Sequence, residues 1–234
     1  MCGRYVLISS PEELARAFSA ISPGALAELV VPSYNVAPSR RVLCLVAREG
    51  HRELRAFRWG LIPSWAKDPA IGNRLINARA ETVATKPAFR AAFRSRRLAV
   101  LADGFYEWRR DVPGPPQPYY IVRADGAPLA FAGLYEQWED KRPGAPEPGV
   151  VATCTIVTTD ASEDVASIHD RMPAVLELDA LELWLEGAGA GWEELEGVLR
   201  PAPAGTLRSE PVGRRVGDVR NDGPELITPL AANR

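Results

Sequence analysis

Eight short runs of this chain are rich in Val, Ile, Leu and aromatic residues, and most are bounded by Gly, Pro or Asp. Runs of this kind predict β-strands, and here they follow one another without regular helices between them. Since a doubly wound parallel sheet requires a helix between successive strands, we expect instead an α+β fold with a curled, barrel-like, mostly antiparallel sheet. The predicted strands cover residues 42–47, 52–59, 97–102, 105–109, 118–123, 128–135, 150–158 and 207–212.

Helix-start signals predict a few short helices at the periphery of this sheet. Ser10 is placed as an N-cap, Pro11 as the first helical residue and Glu13 as the capping-box partner of Ser10, for a helix that reaches about Ala20. The same kind of signal predicts three further helices: one after Asp160 and before His169, one over 180–186 after Asp179, and one over 191–199 that ends before Pro201.

Three Pro- and Gly-rich stretches separate the apolar runs, at 111–118, 141–149 and 200–205. Each is short and lies between predicted strands or helices, so it is typical of a surface loop rather than of a linker between domains. No internal repeat is visible. We therefore expect a single domain over residues 1–234.

Composition is typical of a water-soluble protein, with 46% hydrophobic and 25% charged residues. No apolar run approaches the roughly 20 residues of a membrane span. The start of the chain has no basic segment followed by an apolar one, so we expect no membrane association and a cytoplasmic location.

The net charge of −2 argues against a uniformly basic nucleic-acid-binding protein. Positive charge is nevertheless concentrated locally, because residues 86–97 contain five basic residues and no acidic one. This stretch predicts a basic patch on a protein that is otherwise close to neutral.

The three cysteines, Cys2, Cys44 and Cys154, cannot form a disulfide framework. Cys44 and Cys154 lie within apolar, strand-like runs, where buried and inert thiols are common. The chain has two histidines and no CxxC motif, so we expect no zinc site and no other bound metal.

Cys2 differs from the other cysteines because removal of Met1 would leave it with a free α-amine beside its thiol. The amine titrates at about 7.7–8.0 and the thiol at about 8.5 in unperturbed peptides. An aminothiol of this kind condenses with an aldehyde to an imine, and its sulfur then closes a five-membered thiazolidine ring. From the first residues alone, a cysteine that merely follows the initiator methionine is an equal alternative.

Three other segments carry polar residues where apolar or loop residues would be expected: 73–83, 103–109 and 167–173. Glu107 lies between two aromatic residues, a setting that favours acid–base chemistry, and His169 can relay protons near neutral pH. Each also has an ordinary structural interpretation. Glu107 could be an exposed strand residue, His169 a hydrogen-bonded histidine at a helix end, and Asn77 a turn former.

Taken together, these segments resemble a known family, the SRAP family. The resemblance covers nearly the whole chain in the family's order and rests on several motifs of five or more residues. These motifs are MCGRY at 1–5, YNVAPS at 34–39, WGLIPSW at 59–65, LINARAET at 75–82, DGFYEW at 103–108, IHDRMP at 168–173 and VGDVRNDGPELITP at 216–229.

The resemblance implies a sensor and shield for abasic sites in single-stranded DNA that acts in the DNA damage response and needs no cofactor. It implies that Cys2, freed of Met1, is the covalent nucleophile that forms a thiazolidine with the opened sugar. Asn77 would orient the cysteine amine or the sugar, Glu107 would transfer protons, and His169 would assist as an acid or base. A lyase side reaction and self-removal of Met1 are also implied.

The resemblance further implies contacts to DNA. Arg4 and Arg79 match phosphate-binding positions, and Trp65 matches an aromatic residue near the DNA, although PSW stands here where relatives have paired tryptophans. Asn35 and Thr158 match other residues of the cleft. The partner would be single-stranded DNA with an abasic site, bound by a monomer that acts at the nucleoid.

Other functions remain open at this point. Class II glutamine amidotransferases also begin with MCG and use an N-terminal cysteine, but that activity leaves Glu107 and His169 without a role. A peptidase with Cys2 and His169 as its catalytic pair is a second alternative. A third is a non-catalytic module that binds single-stranded DNA and whose thiol is incidental.

Overall fold

The computed structural model of the chain describes residues 2–24, 26–111, 113–140, 149–187 and 189–231. Its strands are β1 Tyr5–Leu7, β2 Ala20–Ile21, β3 Ser33–Val36, β4 Arg41–Arg48, β5 His51–Trp59, β6 Asn77–Arg79, β7 Arg97–Ala102, β8 Gly104–Arg109, β9 Gln117–Arg123, β10 Leu129–Asp140, β11 Gly149–Asp160, β12 Arg171–Pro173 and β13 Leu207–Pro211. Its α-helices are α1 Pro11–Ala17, α2 Leu26–Leu29, α3 Ala80–Val83, α4 Arg90–Ser95, α5 Glu163–Ala166, α6 Leu178–Glu186 and α7 Trp192–Gly197. The 3₁₀ helices are Pro69–Arg74, Arg214–Gly217 and Pro224–Ile227.

Five strands close into a barrel in the order β11, β10, β7, β4 and β5. Four of the contacts around the barrel are antiparallel, and β5 completes the ring by pairing in parallel with β11 through Trp59 opposite Cys154. Both cysteines of the predicted strands, Cys44 and Cys154, are fully buried. The prediction of an α+β fold with a curled, barrel-like, mostly antiparallel sheet and short helices is therefore confirmed.

A second, antiparallel sheet follows the order β13, β9, β8, β1 and β3. In it, β1 lies beside β8 with Tyr5 opposite Phe105. The outer face of this sheet is covered by the C-terminal segment, whose Val216 and Leu226 pack with Tyr106 in a small separate cluster. This arrangement places the start of the chain in the interior, with structure on both sides of it.

All eight predicted strands are present, and β10 and β11 are longer than expected. Five strands of two to four residues each were not predicted from the sequence: β1, β2, β3, β6 and β12. Strands this short pair with partners far along the chain, as β6 does with β11, so no local run of apolar residues marks them.

The capping box of α1 is confirmed, because Ser10 Oγ accepts a hydrogen bond from the amide of Glu13 and the Glu13 carboxylate accepts one from the amide of Ser10. The helix ends at Ala17 rather than near Ala20. Ser19 adopts a φ of 52°, and Ala20 then pairs with β5, so the chain leaves the helix early.

The other helix starts differ slightly from the prediction. Helix α5 follows Ser162 rather than Asp160, because Asp160 is the last residue of β11. Helix α6 follows Glu177 rather than Asp179. Helix α7 lies within the predicted range, whereas α2, α3 and α4 were not predicted. Of the predicted loops, residues 141–148 and residue 112 lie outside the described part of the chain.

Within the described residues, no helix is long and apolar enough to cross a membrane.

Gly60 combines a positive φ with close packing against backbone. Its φ is +120°, and an added Cβ would lie 2.7 Å from the carbonyl oxygen of Gly72. Strain at such a backbone conformation costs about 1–3 kcal/mol, and forced close packing costs about 1–3 kcal/mol more. We therefore expect Gly60→Ala to lower the free energy of unfolding by roughly 2–6 kcal/mol in urea denaturation.

Gly50→Ala is the matched control, because Gly50 also has a positive φ, +81°, but nothing within 4 Å of an added Cβ. It should cost only the strain, about 1–2 kcal/mol. Equal losses for the two variants would contradict the close packing of Gly60 on Gly72.

Candidate active site around Cys2

Cys2 lies three residues before the start of β1, in the interior of the protein, and is fully buried. The sheet extends to this end of the chain, since the amide of Tyr106 donates to the carbonyl oxygen of Arg4 at 3.0 Å. The carbonyl oxygen of Cys2 itself accepts a hydrogen bond of 2.8 Å from Nδ2 of Asn77. The cysteine is therefore held by backbone and side-chain contacts on both sides.

Asn77 reaches Cys2 because β6 lies beside β11, a strand of the barrel. The three residues of β6 pair in parallel with the end of β11, and Asn77 stands opposite Ile156. The Oδ1 atom of Asn77 is also buried, and it has no hydrogen-bond partner among the described residues. A buried acceptor of this kind is costly unless a donor joins it, so a ligand or a new amine can gain a hydrogen bond here.

Glu107 lies on β8 and is only 2% exposed. Burial raises its pKa above the ordinary value of 4.5, and the nearby His169 partly offsets this shift. A carboxyl group with a raised pKa exchanges its proton closer to neutral pH and is suited to acid–base chemistry.

His169 faces Glu107, with Nε2 4.0 Å from Oε2 of the carboxyl group. On the other side of the ring, the amide of Arg171 donates to Nδ1 at 2.9 Å. Nδ1 also lies 3.2 Å from the carbonyl oxygen of Arg171, so whether it donates or accepts depends on the tautomer of the ring. The carboxylate of Asp170 lies 2.9 Å from Nδ1, where it can accept a hydrogen bond whenever Nδ1 carries a proton.

The thiol of Cys2 is held in its neutral form. Burial raises its pKa well above the ordinary value of 9.0, and the negative charge of Glu107 raises it further. Because the thiolate is the reactive species, a base must take the proton as the sulfur attacks. Glu107 acts on the thiol electrostatically and is the candidate for that base.

The structure thus brings the four predicted catalytic residues into one site. Asn77 contacts Cys2 directly, Glu107 interacts electrostatically with Cys2, and His169 faces Glu107. Their chemical roles stay predictions.

Arg4 and Asn35 form a hydrogen-bonded pair under the C-terminal segment. Nη1 of Arg4 donates to Oδ1 of Asn35 at 2.8 Å and to the carbonyl oxygen of Val216, also at 2.8 Å. Asn35 is buried, and its amide nitrogen donates to the carbonyl oxygens of Asp218 and Asn221. Asn35 therefore positions Arg4 and the C-terminal segment, and a direct contact with DNA stays a prediction.

The other predicted DNA contacts differ in their access to solvent. Trp65 is 60% exposed, and Arg79 is exposed at the end of β6, two residues after Asn77. Thr158, by contrast, is fully buried, and its hydroxyl donates to the carbonyl oxygen of Ala78 at 3.4 Å. A bound DNA strand could therefore reach Trp65 and Arg79 without rearrangement, but not Thr158.

No role was predicted for Arg171 from the sequence, although it lies in the polar segment around His169. In the structure its guanidinium bonds Glu81 and Asp160, from two other parts of the chain. A charged residue next to a candidate acid–base group was the available signal, but its partners could not be identified without the fold.

The model of the SRAP family, described as SOS response associated peptidase, matches residues 1–219. YoqW of Bacillus subtilis (strain 168), named an abasic site processing protein, is 40% identical over 227 residues, which cover 97% of this chain and 99% of YoqW. YedK of Escherichia coli (strain K12) has the same description and is 37% identical over 198 residues, 84% of each chain. HMCES of Gallus gallus, also so described, is 36% identical over 85% of this chain and 66% of its own length.

Solved structures show the same fold. A protein from Bacteroides thetaiotaomicron matches with a TM-score of 0.87 and 25% identity, over 98% of this chain and all of that one. A phage-related protein from Bordetella bronchiseptica matches with a TM-score of 0.67 and 30% identity, over 91% of this chain and 95% of that one. The resemblance found in the motifs is confirmed, while the predicted domain end at residue 234 lies beyond the matched residues and stays a prediction. The chain belongs to the SRAP family.

Proposed function

We propose that this protein processes abasic sites in single-stranded DNA by attaching itself covalently to the opened sugar through Cys2. One observation carries the proposal: the N-terminal cysteine is buried in a site where Asn77 holds its carbonyl and Glu107, with His169 beside it, acts on its thiol. The names of the relatives support the choice of substrate.

The reaction begins with hydrolysis of the Met1–Cys2 peptide bond, which consumes one water and frees the α-amine. The abasic sugar opens when the proton of its C1′ hydroxyl is removed and one is returned to the ring oxygen. Glu107 and His169 are suitable carriers for these protons. The opened sugar then presents an aldehyde to the amine of Cys2.

The amine adds to the aldehyde and releases one water, which gives an imine. The sulfur then bonds the same carbon, and the proton of the thiol ends on the nitrogen, so that a thiazolidine ring forms without transfer of electrons to another molecule. The imine also makes the C2′ proton more acidic, so loss of the 3′ phosphate by β-elimination is a lyase side reaction. Ring closure by sulfur suppresses it.

The neutral state of the buried thiol fits this order of steps. A thiolate would be costly in this interior, so the sulfur gives up its proton only as the carbon–sulfur bond forms. Glu107, whose own pKa is raised by burial, can receive that proton and pass it on towards the nitrogen. His169, with Nε2 4.0 Å from Oε2 of Glu107, can exchange protons with it.

The test is incubation of the protein with a single-stranded oligonucleotide that carries one abasic site. A heat-stable, SDS-resistant adduct with the mass of protein plus DNA minus one water supports the proposal. An equal adduct from Cys2→Ala, or none from the wild type after its mass shows loss of Met1, contradicts it. Hydrolysis of glutamine to glutamate without any adduct would favour an amidotransferase instead.

Arg79 and Trp65 are proposed to hold the strand without reading its sequence, by phosphate contact and by stacking on a base. Arg79→Ala should weaken binding to intact single-stranded DNA and reduce the slope of log K against log salt by about 0.7. Trp65→Ala should weaken binding by about 1–3 kcal/mol and leave that slope unchanged. Fluorescence anisotropy over a salt series measures both effects, and a changed slope for Trp65→Ala would contradict the assignment.

A further inference from the structure

Two arginines stand opposite each other at the start of β4 and near the end of β5. Arg41 pairs with Arg58 in the antiparallel register of these strands, so both side chains lie on the same face of the sheet. The Cβ atoms of such a pair are about 4.5–5.5 Å apart, and like charges so placed destabilise a sheet. Within the described residues, neither side chain forms a hydrogen bond or an ion pair that would offset the repulsion. An anion bound between the two guanidinium groups would offset it.

A cavity of about 180 Å³ lies beside Arg41. Arg41 and the exposed Arg40 line one part of it, and Leu29 and Val31 line another. Leu29 and Val31 are 44% and 65% exposed, so the cavity has an apolar wall that is open to water. Proteins that bind single strands combine cations for the phosphates with surfaces on which the bases lie. The cavity offers both kinds of contact to a nucleotide.

The same cavity is connected with the candidate active site through two segments of the chain. Tyr5, the third residue after Cys2, also lines the cavity, and three residues span at most about 11 Å. In addition, the amide of Trp59 donates to the carbonyl oxygen of Arg40 at 2.9 Å, which fixes Arg40 beside the segment that leads to Trp65. A strand whose abasic sugar lies at Cys2 can therefore reach the cavity within a few nucleotides.

We propose that Arg40, Arg41 and Arg58 bind backbone phosphates of the single strand a few nucleotides away from the abasic site, and that the cavity holds a sugar or base of that strand. The proposal rests on the proposed function for the identity of the strand. Arginine suits this role, because its guanidinium stays charged and offers two parallel donors to the oxygens of a phosphate. The three arginines thus form an anchoring site separate from the chemistry at Cys2.

The first test measures the binding of long, intact single-stranded DNA by fluorescence anisotropy over a salt series. Arg41→Ala/Arg58→Ala removes two phosphate contacts, so the slope of log K against log salt should fall by about 1.4. At about 0.1 M salt, this change corresponds to roughly 25-fold weaker binding. An unchanged slope would overturn the proposal.

Arg48→Ala/Arg55→Ala is the matched control, because it removes two positive charges from the same two strands. Arg48 ends β4, about 23 Å along the strand from Arg41, and Arg55 lies on the opposite face of β5 from Arg58. The slope of this control should equal that of the wild type, and an equal fall in both double variants would reduce the effect to net charge and overturn the proposal. If Arg41→Ala/Arg58→Ala proves unstable in thermal melts, Arg41→Glu places a carboxylate opposite Arg58 and should lower the slope by a similar amount.

The second test compares cross-linking to a long abasic strand with cross-linking to a short one that keeps only one neighbouring nucleotide on each side of the abasic site. The wild type should react faster with the long strand at low DNA concentration, because only that strand reaches the three arginines. Arg41→Ala/Arg58→Ala should lose most of this advantage, and full retention of it would contradict the anchoring site. Absence of any adduct with the wild type would instead contradict the proposed function, and the salt series on intact DNA would still decide the present proposal.

Discussion

A variant with one alanine inserted between Met1 and Cys2 is expected to lose all heat-stable cross-linking while it retains its thiol. The inserted residue locks the nitrogen of Cys2 in a peptide bond, and an amide nitrogen cannot form an imine. The thiol alone can add to an aldehyde only reversibly, to a hemithioacetal. The loss should match that of Cys2→Ala, as measured by SDS gel electrophoresis after heating and by intact mass.

The control is the same chain released by a protease so that it begins directly at Cys2, which should cross-link as fast as or faster than the wild type. Cross-linking by the inserted variant at the wild-type rate would show that the amine is not needed. The proposed thiazolidine would then be wrong, even if Cys2 were still required.

Glu107→Gln is expected to slow cross-linking by about 10²- to 10⁴-fold, the usual contribution of a general acid or base. The amide keeps the shape of the carboxyl group but can neither accept a proton from the thiol nor donate one to the sugar oxygen. Single-turnover rates at saturating abasic DNA measure the loss. Binding to intact single-stranded DNA should stay the same, because Glu107 is buried and faces His169.

Glu107→Gln should also become more stable relative to the wild type as pH rises. Burial raises the pKa of Glu107 above 4.5, so the stability that this group contributes is present below its ordinary pKa and is lost as pH rises through the folded-state pKa. Glutamine has no such loss. The difference in unfolding free energy between Glu107→Gln and wild type should therefore increase from about pH 4.5 upward, as measured by urea denaturation at several pH values.

Glu53→Gln is the matched control for the rate measurement, since Glu53 lies on β5, outside the site. It should not change the cross-linking rate. If Glu107→Gln cross-links at the wild-type rate, another base must accept the proton of Cys2, and Glu107 has no part in the proton transfer.

The barrel could be predicted from the sequence because its strands carry their own signal. β4, β7 and β11 are long runs of apolar residues, and each is buried along most of its length. A strand that is buried on both faces is a continuous run of apolar residues, so it can be predicted without knowledge of its partners. The closing contact between β5 and β11 was not predictable, because parallel pairing of two distant strands leaves no local pattern.

The candidate site likewise has features that can be predicted from the sequence and features that cannot. The chemistry of Cys2, Glu107 and His169 follows from residue type and from the motifs around them, which identify the family. Asn77 joins them through β6, a three-residue strand that was not predicted from the sequence and whose pairing with β11 brings Asn77 to the carbonyl of Cys2.

The sequence by itself therefore determined the fold class, the family and the reactive groups, because each of these depends on local composition or on contiguous motifs. Only the tertiary structure decided that burial raises the pKa of the Cys2 thiol, that Glu107 is buried and acts on it, and that Arg171 bonds Glu81 and Asp160. The reason is physical. Burial, proton affinity and ion pairing depend on which distant segments surround a group, and residues 2, 77, 107 and 169 become neighbours only when the sheets assemble.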